Sequence, residues 1–260
     1  MLLWRKAARL ANREVEQLAD IAIAAFDEGK DPSKLKKEVA AVFHGKQAID
    51  IACFGRMLAD APDLNTDASA QVAHAFSIDQ ITPEYDYFTA VDDCASDDNA
   101  GAAMIDTVGF NSSTLYRYAT LNVDALRDQL QDADAMVEGV SAFVEAFVKS
   151  MPSGKQNTFA NHTLPEDIVI VLRDSQPISA ADAFENPIKR KDGISVSRQG
   201  IERLGDRLNE IRINYGEEPV KAWHVVSGGS VPSLDEWSEQ VTLPELEQSL
   251  RETLSAAYSA

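Results

Sequence analysis

The chain has 260 residues, of which 45% are hydrophobic and 25% are charged, and its formal net charge is −18. This composition can bury a substantial core in one large domain or two small ones, and the lack of any run of about 18 apolar residues excludes a membrane-spanning helix. The amphipathic start argues against a secretory signal, and two widely separated cysteines without metal-ligand spacing suit a reducing compartment. A soluble protein of the cytoplasm is therefore expected.

The charge is distributed unevenly along the chain. Residues 1–60 hold ten Lys and Arg against nine Asp and Glu, a net of +1, which leaves −19 for residues 61–260. A uniformly negative protein would repel phosphates, but an uneven field lets one face meet a nucleic acid while the other faces stay acidic. The simpler alternative is that the charge serves only solubility.

The N-terminal part is predicted to be mainly helical. Apolar residues recur at helical spacing from Trp4 to Phe26, which predicts a long amphipathic helix. A break at residues 29–33 precedes a short second helix that carries three lysines. From Ala48 to Met57 apolar and polar residues alternate, which predicts a strand that ends at Gly55.

The middle of the chain combines strands with a long polar stretch. A strand-like run extends from Ala70 to Ile78. The segment from Asp92 to Thr107 is polar and rich in small residues, and a loop of this length is usually functional or disordered. A strand is predicted from Leu115 to Asn122, and either Asn122 or Asp124 is a suitable N-cap for the helix that follows.

The C-terminal half alternates helices and strands. Apolar spacing predicts a deeply packed helix from Met136 to Met151, a strand from Ile168 to Leu172, an amphipathic helix around Ile201 to Ile211, and a terminal helix near Tyr258. This alternation favours an α/β or α+β domain.

Three short segments each place an apolar or aromatic side chain beside a basic or polar one. They are Phe54-Gly55-Arg56-Met57, Tyr87-Phe88-Thr89-Ala90-Val91-Asp92-Asp93 and Phe110-Asn111-Ser112-Ser113-Thr114-Leu115-Tyr116-Arg117-Tyr118-Ala119. Such pairing suits a protein that binds single-stranded RNA regardless of its sequence, because cations neutralise the phosphates and slender apolar groups enter between the bases. In order and spacing, the segments resemble the CasC-type (Cas7 family) backbone subunit of the type I-E CRISPR Cascade complex.

The resemblance extends from about Gly45 to the C-terminus. Two further segments match, Gly154–Ala160 and Ala183–Glu185 with the following Lys191–Gly193. Members of the family normally begin with a strand and a strongly basic segment, and nothing before Trp4 supplies either. The chain is therefore expected to be a family member that lacks the N-terminal part.

The resemblance also implies a fold. It is an α+β fold built on a modified RRM-like (ferredoxin-like) palm, a single domain over residues 1–260. A helical insertion would occupy residues 1–45, and a protruding thumb would occupy about 77–110.

The function that the resemblance implies is non-catalytic. Copies of the subunit polymerise head to tail along the CRISPR RNA and kink it periodically, so that the bases between the kinks can pair with target DNA in antiviral defence. The implied wedges between bases are Met57, Phe88 and Val91, and Lys34, Lys36 and Lys37 would contact the DNA duplex. The implied partners are CRISPR RNA, target DNA, further copies of the chain and other Cascade subunits, with no cofactor, no metal and no membrane.

Residue chemistry adds further RNA-binding candidates. They are Arg56 and Tyr87 beside the wedges, Lys155 and Gln156 before a strand, and Arg117. At this point Arg117 is either a buried partner of a carboxylate or a phosphate contact. Lys155 could instead be a solvated loop residue, and Met57 could fill the core.

Two other functions stay open. Asp92, Asp93, Asp97 and Asp98 form an acidic cluster that could bind a divalent cation and hydrolyse phosphodiesters. Their place in a loop of small residues argues against a rigid site. The remaining alternative is a truncated remnant that folds poorly and binds nothing.

Overall fold

The structure is a computed structural model that describes residues 12–43, 47–59, 61–90 and 104–258. The α-helices in this part of the chain are α1 Asn12–Asp27, α2 Lys36–Phe43, α3 Ile49–Phe54, α4 Val123–Leu130, α5 Ala133–Lys149, α6 Gln156–Phe159, α7 Val196–Tyr215, α8 Pro232–Asp235 and α9 Leu243–Tyr258. Short 3₁₀ helices occupy Pro32–Leu35, Pro62–Leu64 and Ala181–Phe184. The strands are β1 Ala70–Val72, β2 Phe76–Ser77, β3 Glu84–Ala90, β4 Met104–Phe110, β5 Leu115–Tyr116, β6 Ala119–Leu121, β7 Asp167–Leu172, β8 Lys221–Val226 and β9 Glu239–Gln240. This mixture of helices with small sheets confirms the α+β class.

The main core lies between α5, α9, α4 and the sheet that contains β8. Helix α5 buries aliphatic side chains at helical spacing, namely Met136, Val137, Val140, Val144 and Val148. Helix α9 contributes Leu246, Leu250 and Leu254, which are four residues apart and therefore lie on one face. The predicted packed helix at 136–151 is confirmed, with its end at the C-cap Ser150.

A second cluster packs α7 against α8. Ile201, Leu208 and Ile211 of α7 are buried together with Val231 and Leu234. The helix α7 begins where Ser195 accepts a hydrogen bond from the Arg198 amide, and it ends at Gly216 in the left-handed conformation.

The described strands form four small sheets. In the largest, β7 is antiparallel to β8 from Asp167↔Val226 to Leu172↔Lys221, and β9 runs parallel to β8. The other three are the antiparallel pairs β1–β6, β2–β5 and β3–β4. The strand predicted at 115–122 is therefore split, because β5 and β6 pair with different partners on either side of Arg117 and Tyr118. An RRM-like palm and a single domain over the whole chain stay predictions.

The strand predicted from Ala48 to Met57 is wrong. Residues 49–54 form the helix α3, in which Ile51, Ala52 and Cys53 are all buried. Three consecutive residues can all be buried only if other elements pack on more than one side of the segment. The short helix α3 packs against both α4 and α5, whereas a strand with alternating polar residues would bury only one side. Cys53 is a small core residue that is only 2% exposed.

Other local predictions have mixed outcomes. The first helix is confirmed over the described residues 12–26, and residues 1–11 lie outside the described part. Asn122 is the N-cap of α4, because its side chain accepts a hydrogen bond from the Ala125 amide. The loop predicted at 92–107 is wrong for residues 104–107, which belong to β4. In the described residues, no helix combines the length and apolar character that crossing a membrane requires.

The carboxyl group of Asp167 makes a pH-dependent contribution to stability. Burial, together with the neighbouring Glu166 carboxylate, raises the pKa of Asp167 from 3.8 to about 6. Between these two values the folded chain holds more protons than the unfolded chain, so this contribution to stability falls as pH rises through the window. Asp167→Asn is expected to raise the free energy of unfolding by about 1 to 2 kcal/mol near pH 7.5 and to change it little near pH 4.

Urea titrations at both pH values would test this expectation. Asp174→Asn is the matched control, because Asp174 is an exposed carboxylate shortly after the same strand. Equal effects of Asp167→Asn at the two pH values would contradict the assignment.

Candidate nucleic-acid interface

The strands β3 and β4 form a hairpin with two chemically different faces. Their register runs from Glu84↔Phe110 to Ala90↔Met104, and alternate residues of a strand point to opposite sides. One face carries Phe88 together with Glu84, Asp86, Ala90, Met104, Asp106, Val108 and Phe110. The other face carries Tyr85, Tyr87, Thr89, Ile105, Thr107 and Gly109. Phe88 and Tyr87 therefore point in opposite directions.

The two faces also differ in charge and exposure. Tyr85 and Tyr87 are 74% and 61% exposed on the face without charge, and the Tyr85 ring lies against Gly109. Phe88 is half-buried and lies opposite Asp106 on the acidic face. Neither strand contains a lysine or an arginine. Cations that neutralise a phosphate near this hairpin must therefore come from other elements.

The base of the hairpin contacts the loop before α6. The rings of Phe110 and Phe159 lie 5.6 Å apart, and Phe159 is the last residue of the helix that begins after Lys155. Lys155 is exposed and has a positive φ of 62°, while the Gln156 amide donates a hydrogen bond to the Pro152 carbonyl at 2.9 Å. The structure thus brings the predicted residues Lys155 and Gln156 to the base of the hairpin.

Arg117 connects the same loop to α5. Its Nη1 donates a hydrogen bond to the Ser150 carbonyl at 3.1 Å, and its guanidinium lies 4.5 Å from the centre of the Phe147 ring. In the part of the chain that the structure describes, Arg117 makes no ion pair. Of the two roles that the sequence left open for Arg117, pairing with a carboxylate is therefore not found in the described residues. The charged guanidinium lies over the Phe147 ring instead.

Three phenylalanines extend from Arg117 towards α3. The rings of Phe147 and Phe143 are stacked 6.2 Å apart at an angle of 7°, and the ring of Phe143 lies 6.2 Å from that of Phe54. Phe54 is 49% exposed, and the other two rings are partly exposed. We call Phe54, Phe143 and Phe147 the aromatic row.

The aromatic row leads to the segment that carries Met57. Met57 is 82% exposed, so the alternative that it fills the core is wrong. Its position is fixed by a bridge in which Arg56 and Thr66 exchange two backbone hydrogen bonds of 2.9 Å. The exposed side chain is thus held next to a rigid backbone.

Arg56 is buried, unlike the other predicted RNA-binding residues that the structure describes. Its side chain is 1% exposed and its Nη1 lies 2.6 Å from a carboxylate oxygen of Glu14. Arg56 also donates to the carbonyls of Leu64 and Phe43 and lies over the Phe43 ring. This geometry gives Arg56 a structural role, and a contact of Arg56 with RNA stays a prediction.

The structure shows two separate sets of contacts near the predicted residues. One joins Phe54, Phe143, Phe147 and Arg117, and the other joins Phe159, in the helix that starts at Gln156, to Phe110 at the base of the hairpin. The predicted Val91 lies outside the described residues. The three predicted DNA contacts are exposed around the start of α2, namely Lys34, Lys36 and Lys37. The aromatic row was missed by the sequence analysis, which assigned Phe143 and Phe147 to the packed side of α5.

The acidic cluster proposed as a metal site cannot be placed. Asp92, Asp93, Asp97 and Asp98 lie outside the described residues. Across residues 12–43, 47–59, 61–90 and 104–258, no group of three His, Cys, Asp or Glu side chains could hold a metal ion. The described part of the chain therefore offers no observation that favours metal-dependent chemistry.

Comparison with known proteins identifies the family. The family model of the CT1975-like proteins matches residues 4–250. The chain belongs to the CT1975-like family. No curated protein matches this CT1975-like chain.

Two solved structures are similar to this CT1975-like protein. A chain of a "CRISPR RNA-guided surveillance complex, pre-nicking" is 30% identical with a TM-score of 0.75, and the match covers 85% of this chain and 58% of the other. A chain of a "CRISPR RNA-guided surveillance complex" is 31% identical with a TM-score of 0.71, covering 81% and 78%. This protein thus spans little more than half the length of the first of these relatives. Together, the family and structural matches show a Cas7-type protein.

Proposed function

We propose that this Cas7-type protein is a non-catalytic, CRISPR RNA-binding backbone subunit of a surveillance complex of the type I-E Cascade kind, CasC-like in its role. It polymerises along the guide RNA and kinks it periodically, so that the bases between the kinks pair with target DNA. Sequence recognition then rests on base pairing, while the protein holds the RNA backbone and shape. The similarity to chains of CRISPR RNA-guided surveillance complexes supports this proposal.

One observation carries the proposal furthest. Exposed apolar groups and cations that single-stranded RNA requires occur together: Met57 is exposed, Arg117 lies over the last ring of the aromatic row, and Phe110 at the base of the hairpin contacts Phe159 of α6. Among the described residues neither Arg117 nor Lys155 is paired with a carboxylate, so both can neutralise phosphates in an otherwise acidic protein. Phe88 and Tyr87 offer aromatic rings that stack on any base.

The proposal includes further features of the assembly. The described strands belong to an RRM-like palm in a single domain, residues 1–45 are a helical insertion, and the hairpin is part of a thumb at about 77–110. Lys34, Lys36 and Lys37 contact target DNA, and further copies and other Cascade subunits complete the complex in the cytoplasm. Exposure of the three lysines is compatible with this role.

Phe88→Ala is expected to weaken binding of single-stranded RNA by about 5- to 150-fold, because stacking on one aromatic contributes about 1 to 3 kcal/mol per base. The loss is expected to be similar for guides of unrelated sequence, since every base has a flat face. Fluorescence anisotropy with several labelled RNAs would measure it. Phe26→Ala is the matched control, because Phe26 is an exposed phenylalanine on α1.

A marked dependence of the loss on RNA sequence would contradict stacking by Phe88. The salt dependence gives a second check, since the affinity for a single strand falls by about 0.7 log units per phosphate contact for each log unit of salt. Lys155→Gln should reduce this slope by about one contact. An affinity that does not respond to salt would exclude phosphate neutralisation. A cooperative melting transition of the chain would count against the remnant that folds poorly.

A further inference from the structure

We propose that the aromatic row, together with Arg117, forms a second stacking site for the bases of single-stranded RNA, separate from the hairpin. The proposal rests on the proposed function to the extent that both require RNA binding. It assigns a ligand to Phe143 and Phe147, which the sequence placed in a packed helix, and to Phe54, which begins the predicted RNA-binding segment of Met57.

The row lies beside the core rather than inside it. Helix α5 fills the main core with aliphatic side chains, of which Val140, Val144 and Val148 are all buried. Phe143 packs against the edge of this core and stays partly exposed, Phe147 is also partly exposed, and Phe54 is 49% exposed at the end of α3. Aromatic rings that stay accessible next to a core filled by other residues are available to a ligand.

The charge at one end of the row fits a nucleic acid. The Ser150 carbonyl and the Phe147 ring fix the Arg117 guanidinium, and only one of its N–H groups donates to that carbonyl. The remaining N–H groups can reach a phosphate while a base stacks on the neighbouring rings. Along the same helix, Glu145 is neutralised by Lys149 at 2.6 Å, so its carboxylate adds little repulsion.

The ends of the row point to RNA rather than to a protein partner. Phe54 lies three residues before the exposed Met57, and Ser150 lies five residues before the exposed Lys155. Each end of the row is therefore close along the chain to a residue that is predicted to bind RNA. A purely apolar protein contact would leave the fixed charge of Arg117 without a partner.

The test uses the full chain with a labelled uridine oligonucleotide. In the double variant Phe54→Leu/Phe147→Leu, leucine keeps the apolar contacts but cannot stack, so binding is expected to weaken about 5- to 100-fold. The melting temperature should stay close to that of the control variant Phe26→Leu. Ultraviolet crosslinking followed by mass spectrometry is expected to map crosslinks to Phe54, Phe143 or Phe147 as well as to the hairpin.

Three results would overturn the second site, and they differ in what they say about the function. Crosslinks at Tyr87 or Phe88 alone, with normal binding by Phe54→Leu/Phe147→Leu, would leave RNA binding intact and remove the row from it. Normal RNA binding with altered sedimentation of the same variant would assign the row to a protein contact. No binding and no crosslink in the unaltered chain would end both proposals.

Discussion

Replacing Arg56 with methionine is expected to lower the free energy of unfolding by about 3 to 5 kcal/mol, because the change removes a buried cation that contacts the buried Glu14 carboxylate. The two side chains are 1% and 8% exposed and their charged atoms lie 2.6 Å apart. The guanidinium also donates to the carbonyls of Phe43 and Leu64, and methionine cannot replace either hydrogen bond. Urea titration followed by circular dichroism would measure the loss.

Two companion variants make this expectation specific. Glu14→Gln/Arg56→Met is expected to recover part of the loss, because the buried negative charge is removed with its partner. Arg127→Met removes a cation from the exposed pair with Asp128, and it should lower stability far less than Arg56→Met does. Unchanged stability of Arg56→Met with weaker RNA binding would instead make Arg56 an RNA contact.

Gly55→Ala is the second change with a large expected effect, about 3 to 5 kcal/mol of destabilisation. Gly55 has a φ of 74° and a ψ of 169°, a conformation that is nearly restricted to glycine. A Cβ atom there would lie 2.9 Å from the Thr66 carbonyl oxygen and 3.1 Å from the Ala68 amide nitrogen. Backbone atoms cannot move aside as the end of a side chain can. Thermal and urea denaturation would measure the effect.

Gly29→Ala separates the two causes of the loss at Gly55, which are backbone strain and the close approach of the new Cβ to the backbone of Thr66 and Ala68. Gly29 also has a positive φ, of 64°, but no atom lies within 4 Å of the position of its Cβ. Gly29→Ala should therefore lower the free energy of unfolding by only about 1 to 2 kcal/mol, through backbone strain alone. Equal losses at Gly55 and Gly29 would show that the close approach to Thr66 is absent.

The sequence predicted those elements that have a long periodic pattern. In α5 and α9, apolar residues recur over at least four turns, so the helical period is unambiguous. The strand β7 and the N-cap Asn122 were also predicted, because each depends on a strong local preference. Short segments were harder, and in α3 the alternation of Ile49, Ile51 and Cys53 fits either a strand or a buried helical turn.

Features that depend on distant parts of the chain could not be predicted. Glu14 and Arg56 are 42 residues apart, and no local pattern indicates that they pair. The aromatic row joins α3 to α5 across almost 90 residues, so Phe143 and Phe147 looked like ordinary core residues and nothing local linked them to Phe54. The single local hint is that Phe143 and Phe147 are four residues apart and therefore lie on one side of α5.

Successive residues of the hairpin point to opposite faces, so the length of each strand is more tightly constrained than the identity of its side chains. Substituting one aromatic for another in β3 would leave each ring on its own side, whereas deleting one residue within the strand would exchange the two sides at every later position. Tyr87 would then occupy the acidic side, in the place of Asp86 opposite Val108, and Phe88 would move to the neutral side. Among natural variants of this chain, point replacements in the hairpin should consequently be far more common than single-residue gaps.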